Sequence, residues 1–267
     1  MTFHGPLILG STGQVGRALA QAVPAGQGAL WQCRPGARPP AEPALTWDIL
    51  NTAAPSVPAG VTGIVHLARG ADTATEIALA HAACDLGERD GLPVLVASSQ
   101  AVYGAPPGGV AGEDTPLAPL SDNGRTKRAV EEAVAGRATC LRIGNVVGCD
   151  MLLMNAARGP VTLDRLADGT SPARSYIGAG DLWAVITALL AHPAPPGTLN
   201  VARPGTVAMA DLLRAAGLDW SWQEAGPAAL PRLELDVHRL TEIVPLPAAT
   251  PAALIAAARA GGWRPAP

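Results

Sequence analysis

Lys127 is the only lysine in a chain of 267 residues whose other eighteen basic residues are arginines. It closes the stretch Asn123-Gly124-Arg125-Thr126-Lys127. Residues four apart lie on one face of a helix, so Asn123 and Lys127 are expected to point the same way. An ammonium there is a compact point charge with three donors, able to grip hydroxyls or an anion. The Asn123 amide can hydrogen-bond a carbonyl or a hydroxyl, but it cannot donate a proton and recover it. A solvated surface lysine is the plain alternative.

A second candidate lies near the start. In "LILGSTGQVG" the glycines 10, 13 and 16 follow an apolar strand and open a helix. Glycine permits a tight turn and lets backbone approach a pyrophosphate, while the helix start offers free N–H groups and partial positive charge. This strand–turn–helix context points to a dinucleotide site rather than an ordinary glycine turn. The second strand ends in "WQCRPGAR", with Arg34 and Arg38 and no acid before Glu42. Dehydrogenases that use NAD usually carry an acid there for the ribose 2′-hydroxyl, whereas a guanidinium suits a 2′-phosphate. NADP is therefore the expected cofactor, with NAD as the alternative.

These groups need a scaffold, and the first half of the chain supplies one. Apolar runs at 6–10, 29–33, 63–68, 92–99 and 137–148 read as strands, with helices over 13–23 and 73–91 and a further one carrying Lys127. The segment 34–44 is too rich in proline for a helix. Alternation of this kind predicts an α/β fold, a Rossmann-type doubly wound parallel sheet. Past residue 150 the spacing is irregular, with one clear helix at 181–192, a strand-like run at 197–202 and a last helix at 250–262 behind a Thr cap. The expected division is a dinucleotide-binding unit over 1–150 and a small C-terminal substrate-binding lobe over 151–267, partly interleaved with it.

The ordered motifs resemble the extended short-chain dehydrogenase/reductase superfamily, specifically its NAD(P)-dependent epimerase/dehydratase family. The glycine spacing G-x-x-G-x-x-G matches, as do "TWDIL" (46–50), "VHLARG" (65–70), "SSQAVYG" (98–104), "LRIGNVVG" (141–148), "RSYIGAGDL" (174–182) and "LNVA" (199–202). The resemblance implies cofactor contacts from Gly10, Thr12, Gly13, Gln14, Val15 and Gly16, from Arg34, from Asp48 and Ile49 at the adenine, and from Leu67, Ala68 and Lys127. It implies that Ser99 polarises a substrate carbonyl and that Lys127 holds the nicotinamide ribose. Asn123 stands where the family has its catalytic tyrosine, which puts ordinary proton transfer in doubt. Arg69 (alanine more often in the family), Tyr103, Asn145 and Arg174 are the implied substrate residues, the last two near a nucleotide sugar's phosphates. Gln100 and Ala101 replace the Asp-Glu pair of the family's sugar dehydratases.

Composition narrows the classes further. A net charge of −3 with interspersed signs gives no basic stripe for nucleic acid and no polybasic membrane anchor. The four cysteines are widely spaced and the five histidines show no ligand spacing, so no metal site is expected. His66 reads as a packed strand residue, and Glu131 with Glu132 as a solvated, salt-bridged face. The start "MTFHGPLILGSTG" lacks a charged leader, and the expectation is a cytoplasmic chain. Three functions are open: an NADP(H)-dependent oxidoreductase or epimerase on a sugar-like, nucleotide-linked hydroxyl or carbonyl; a catalytically silent NAD(P)-binding sensor or scaffold; and a nucleotide-sugar 4-keto reductase. By resemblance a homodimer is expected.

Overall fold

The computed structural model describes residues 4–265. Its first half runs β1 (Gly5–Leu9), α1 (Gln14–Ala22), β2 (Leu30–Cys33), β3 (Ala44–Thr46), β4 (Val61–His66), α2 (Thr73–Asp90) and β5 (Val94–Ser99). A 3-10 turn over Gln100–Tyr103 then leads to β6 (Val110–Ala111), α3 (Asp122–Ala133), β7 (Thr139–Ile143) and β8 (Asn145–Val146). Seven parallel strands form the main sheet in the order β12-β7-β5-β4-β1-β2-β3, where β12 is Thr198–Val201. The chain winds outward from β1 through β2 and β3, then returns to β4 and winds the other way. The topological switch point therefore falls between β1 and β4, and a crevice opens at the carboxyl ends of those strands.

Period-two alternation explains both covered faces. Ile8 and Leu95 join one core with helix residues Leu19, Trp183 and Ile186. Their neighbours Leu7, Leu9, Val94 and Val96 join the opposite core with Leu79, Ala83, Leu86 and Val130. Buried on both sides, the strands put apolar residues on both faces, as a doubly wound sheet requires, and their buried polar residues, Gln32, His66, Ser98, Thr139, Arg142 and Asn200, are exceptions to that pattern.

The chain past residue 150 contains α4 (Met151–Ala156), β9 (Val161–Arg165), β10 (Ala173–Arg174), β11 (Tyr176–Ile177), α5 (Ala179–Ala191), β12, β13 (Val207–Ala208), α6 (Met209–Ala216), β14 (Trp220–Glu224), β15 (Arg232–Leu235), α7 (His238–Ile243) and α8 (Pro251–Ala260). Of these, α5 and β12 return to the main sheet: β12 pairs with β7, and α5 packs on the same face as α1. Residues of α4, β9, β11, β13, α6 and α8 build a third core that includes Leu153, Leu163, Tyr176, Leu213, Leu254 and Trp263, whereas β15 and α7 add Leu233, Leu235 and Leu240 to the first. Most of these elements were missed in sequence because the strands are two to five residues long and pair far along the chain. Trp220 of β14, for example, sits opposite Val161 of β9.

Candidate active site

Two adjoining cavities of about 280 and 530 Å³ line the carboxyl ends of β1, β2, β4 and β5, and share Gly10, Gly13, Leu67 and Arg69. A third cavity of about 540 Å³ lies at the opposite end of the sheet and is lined by Gln27, Thr62 and Trp183 among others. It is slightly larger, but it sits away from the switch point.

The glycine turn is the hinge of the crevice. Gly10 has φ +78°, in the left-handed region, and a Cβ there would come within 2.4 Å of the Ala68 backbone. The turn is held from β2: Gln32 Oε1 accepts from Gly10 N at 2.8 Å, and Gln32 Nε2 donates to the Trp47 carbonyl at 2.6 Å. Ser11 Oγ donates to the Gln32 carbonyl at 2.6 Å. Gln14, Val15 and Gly16 at the start of α1 face the smaller cavity, whereas Thr12 faces the larger. Gln32 was not singled out in the sequence; a buried glutamine in an otherwise apolar strand is the signal that could have found it.

The larger cavity gathers Arg34, Asp48, Ile49, Leu67 and Ala68, with the exposed Leu50 at its rim. Arg34 is exposed and makes no ion pair among the described residues. Asn51 Nδ2 donates to both Asp48 carboxylate oxygens, at 3.0 and 3.1 Å, and so fixes that carboxylate at the mouth.

The smaller cavity brings Ser99, Asn123 and Lys127 together with Ser98 and Arg69. Ser99 ends β5, and its Oγ accepts from Ala101 N at 3.2 Å. Asn123 and Lys127 come from α3, whose start is capped by Ser121 Oγ accepting from Gly124 N at 3.1 Å. Gly124 is dictated by packing, since a Cβ there would lie 2.3 Å from the Ala101 carbonyl oxygen. Asn123 is half-buried, and its amide has no partner among the described residues.

The partner of Lys127 is Glu76, which was not singled out in the sequence. Lys127 Nζ donates to Glu76 Oε2 at 2.9 Å, with side chains only 8% and 4% exposed. Glu76 Oε1 accepts from Arg69 Nε at 2.6 Å. Glu76 lies on the buried face of α2 with Leu79, Ala80 and Ala83, and α2 is clamped to α3 by the Thr73–Thr126 hydroxyl pair at 2.7 Å. Burial pushes the Lys127 ammonium below its ordinary range, although Glu76 opposes the shift. Burial would raise the Glu76 carboxyl, but Lys127 and Arg69 outweigh it and hold the group low. An isolated acid on the apolar face of a helix is the one signal that could have marked Glu76.

His66 ends β4 close by. Burial, and then Lys127, push it down to about 4, and its Nδ1 has no partner among the described residues, so it is neutral at pH 7.

Several other expected residues lie elsewhere. Tyr103 does not line the crevice: its hydroxyl donates to Asn200 Oδ1 at 2.7 Å and accepts from Arg142 Nη1 at 3.0 Å in the core. The substrate role expected for it is corrected on that ground. Glu131 is likewise not a solvated residue. It is buried, pairs with Arg142 at 2.8 Å and accepts from Ser98 Oγ, while Glu132 does lie on the surface against Arg128. Asn145 is off both linings, its Oδ1 accepting from Gln100 Nε2 at 3.0 Å. Arg174 is also off both; it is half-buried, pushed down by burial, and makes no ion pair among the described residues. No cluster of three or more metal-ligating side chains occurs among the described residues, and no described helix is long and apolar enough to cross a membrane.

No curated protein matches the sequence. Solved structures that match over nearly the whole chain include the Bordetella bronchiseptica enzyme WbmG in complex with NAD, with TM-score 0.74, 17% identity and coverage of 97% of this chain and 94% of that one. Another is UDP-N-acetylglucosamine 4-epimerase from Methanobrevibacter ruminantium M1, with TM-score 0.72, 15% identity and 98% coverage of each chain. A third is TunA, an NAD-dependent NDP-hexosamine 5,6-dehydratase, with TM-score 0.70, 18% identity and 98% coverage of each. At these identities the likeness speaks for the fold. The family model for NAD dependent epimerase/dehydratase proteins matches residues 6–202, about three quarters of the sequence. The chain belongs to the NAD dependent epimerase/dehydratase family.

Proposed function

We propose that the chain is a nicotinamide-dinucleotide-dependent oxidoreductase or epimerase acting on a sugar-like, nucleotide-linked hydroxyl or carbonyl, with NADP(H) as its preferred cofactor. The observation that carries this reading is the crevice itself. It crosses the switch point with the glycine turn at its middle, Arg34 and Asp48 at one end, and Ser99, Asn123 and Lys127 at the other. The cradle fits a dinucleotide, since Gly10 leaves bare backbone where any side chain would collide with Ala68. Arg34, with no acid beside it at the end of β2, favours a 2′-phosphate.

When bound, the dinucleotide supplies a hydride donor or acceptor. The protein's share is binding and orientation. Lys127 spends one of its three N–H groups on Glu76 and has two left for a ribose hydroxyl. Ser99 Oγ is placed to donate to a substrate oxygen, and Asn123 to orient that oxygen or a water beside it. Ile143, Val146 and Leu67 give the cavity apolar walls that limit access of water.

One observation favours a second reading, a catalytically silent dinucleotide-binding sensor. Asn123 has no proton to exchange, and the ammonium beside it is already paired with a carboxylate.

A thermal-shift titration with NADP+, NADPH, NAD+ and NADH, each with and without UDP-glucose, UDP-N-acetylglucosamine or UDP-glucuronic acid, tests both. A ligand at 100 times its Kd stabilises the folded chain by about 2.7 kcal/mol. A rise with NADP(H) and a further rise with a nucleotide sugar is the expected result. A rise with the dinucleotide alone favours the sensor, and no rise with any dinucleotide refutes both readings.

A further inference from the structure

We infer that Arg69 is a diphosphate-binding residue, its guanidinium fork gripping the central pyrophosphate of a dinucleotide that spans the two cavities; the inference rests on the dinucleotide reading above.

Of the four residues common to both cavities, Gly10, Gly13, Leu67 and Arg69, only Arg69 carries a charge. The Ala68 backbone lies against Gly10, so the chain at 68–69 crosses directly over the glycine turn. A ligand confined to one cavity need not pass this point, whereas one that fills both must. The middle of a dinucleotide is its diphosphate, which carries two negative charges. A guanidinium at the junction faces that group with a planar fork that can donate two parallel hydrogen bonds.

The fork is also held ready. Nε of Arg69 is bound to Glu76 at 2.6 Å, and Glu76 is fixed on its other oxygen by Lys127. Neither Nη group has a partner among the described residues. The carboxylate behind the guanidinium fixes its plane while leaving its outer edge open, and the side chain is 59% exposed, so little water must be stripped from it. Little rotamer freedom is left to lose on binding. Glu76 acts here as a positioning residue, and the chain Arg69–Glu76–Lys127 ties the centre of the crevice to its catalytic end.

Isothermal titration of the full chain with NADP+, NAD+, ADP-ribose, adenosine and UDP tests this. Arg69→Ala should weaken NAD+, NADP+ and ADP-ribose tenfold or more, while adenosine changes less than twofold. Arg69→Lys, which keeps the charge but not the fork, should fall between Arg69→Ala and the native chain. Because Arg69 is largely exposed, both variants should fold, which an unchanged far-ultraviolet circular dichroism spectrum would check. Native binding of NAD+ or NADP+ with Arg69→Ala within twofold overturns the inference and leaves the dinucleotide reading standing. A loss confined to UDP overturns it too, by giving Arg69 to the diphosphate of a substrate. If the native chain binds neither dinucleotide nor ADP-ribose, the dinucleotide reading falls and takes this inference with it.

Discussion

Replacing Glu76 by Gln tests the central electrostatic claim, that a buried carboxylate keeps the only lysine charged. The two side chains are 8% and 4% exposed and 2.9 Å apart. At an effective dielectric of about 20, two unit charges at that distance attract by about 6 kcal/mol, and much of this is spent on desolvation. Removing one partner of such a pair costs about 3–5 kcal/mol. In urea, with m of about 3 kcal/mol/M, the unfolding midpoint at pH 7 should fall by roughly 1–1.7 M. Direction in pH follows from proton counts. Burial holds Lys127 below its ordinary 10.5 in the folded chain, and Glu76 is the group that raises it. Between the folded and unfolded values the unfolded chain binds more protons, so stability climbs with pH through that window. In Glu76→Gln the window opens at lower pH, and the climb should begin earlier. At the acid end, the low-lying Glu76 carboxyl contributes stability that is present above about 4.5 and lost as pH falls through its folded value. The variant lacks that loss. Because Lys127 is the only lysine, labelling lysine with carbon-13 at Cε gives one titrating signal whose midpoint can be read directly. The reasoning is refuted if the signal titrates alike in both proteins, or if the variant loses less than about 1 kcal/mol.

Two further outcomes follow from the same region. His66 is held neutral down to about 4, whereas the unfolded histidine titrates near 6.5, so stability should fall on acidification between those values by roughly 3 kcal/mol. Comparing urea midpoints at pH 7 and pH 4.5 for the native chain and His66→Gln checks this; the variant should lose that part of the pH dependence. Gly124→Ala puts a methyl group 2.3 Å from the Ala101 carbonyl oxygen, where α3 meets the turn that follows Ser99. Overpacking of this kind costs about 1–3 kcal/mol, visible as a lower melting temperature. An unchanged melting temperature would show that α3 can shift.

Much of this molecule was written locally. The glycine turn, the strands with apolar residues on both faces, the Asn123–Lys127 spacing and the capped helix at 250–262 rest on contacts within a few residues, and periodicity reports such contacts faithfully. The crevice could be anticipated for the same reason, because a doubly wound sheet must open at its switch point. Other features depended on which buried face meets which. Sequence shows that Glu76 lies on an apolar helix face, but only the packing of α2 on α3 brings it to Lys127, 51 residues away. Tyr103 read like a site residue, yet Arg142 and Asn200, 39 and 97 residues on, draw its hydroxyl into the core. Glu131 read as solvated because charge is normally exposed, and the ion pair with Arg142 that allows its burial is a tertiary contact. Side-chain type and spacing determined which groups could do chemistry; partner identity, and with it charge state and orientation, was decided by the crossing of elements that no local pattern records.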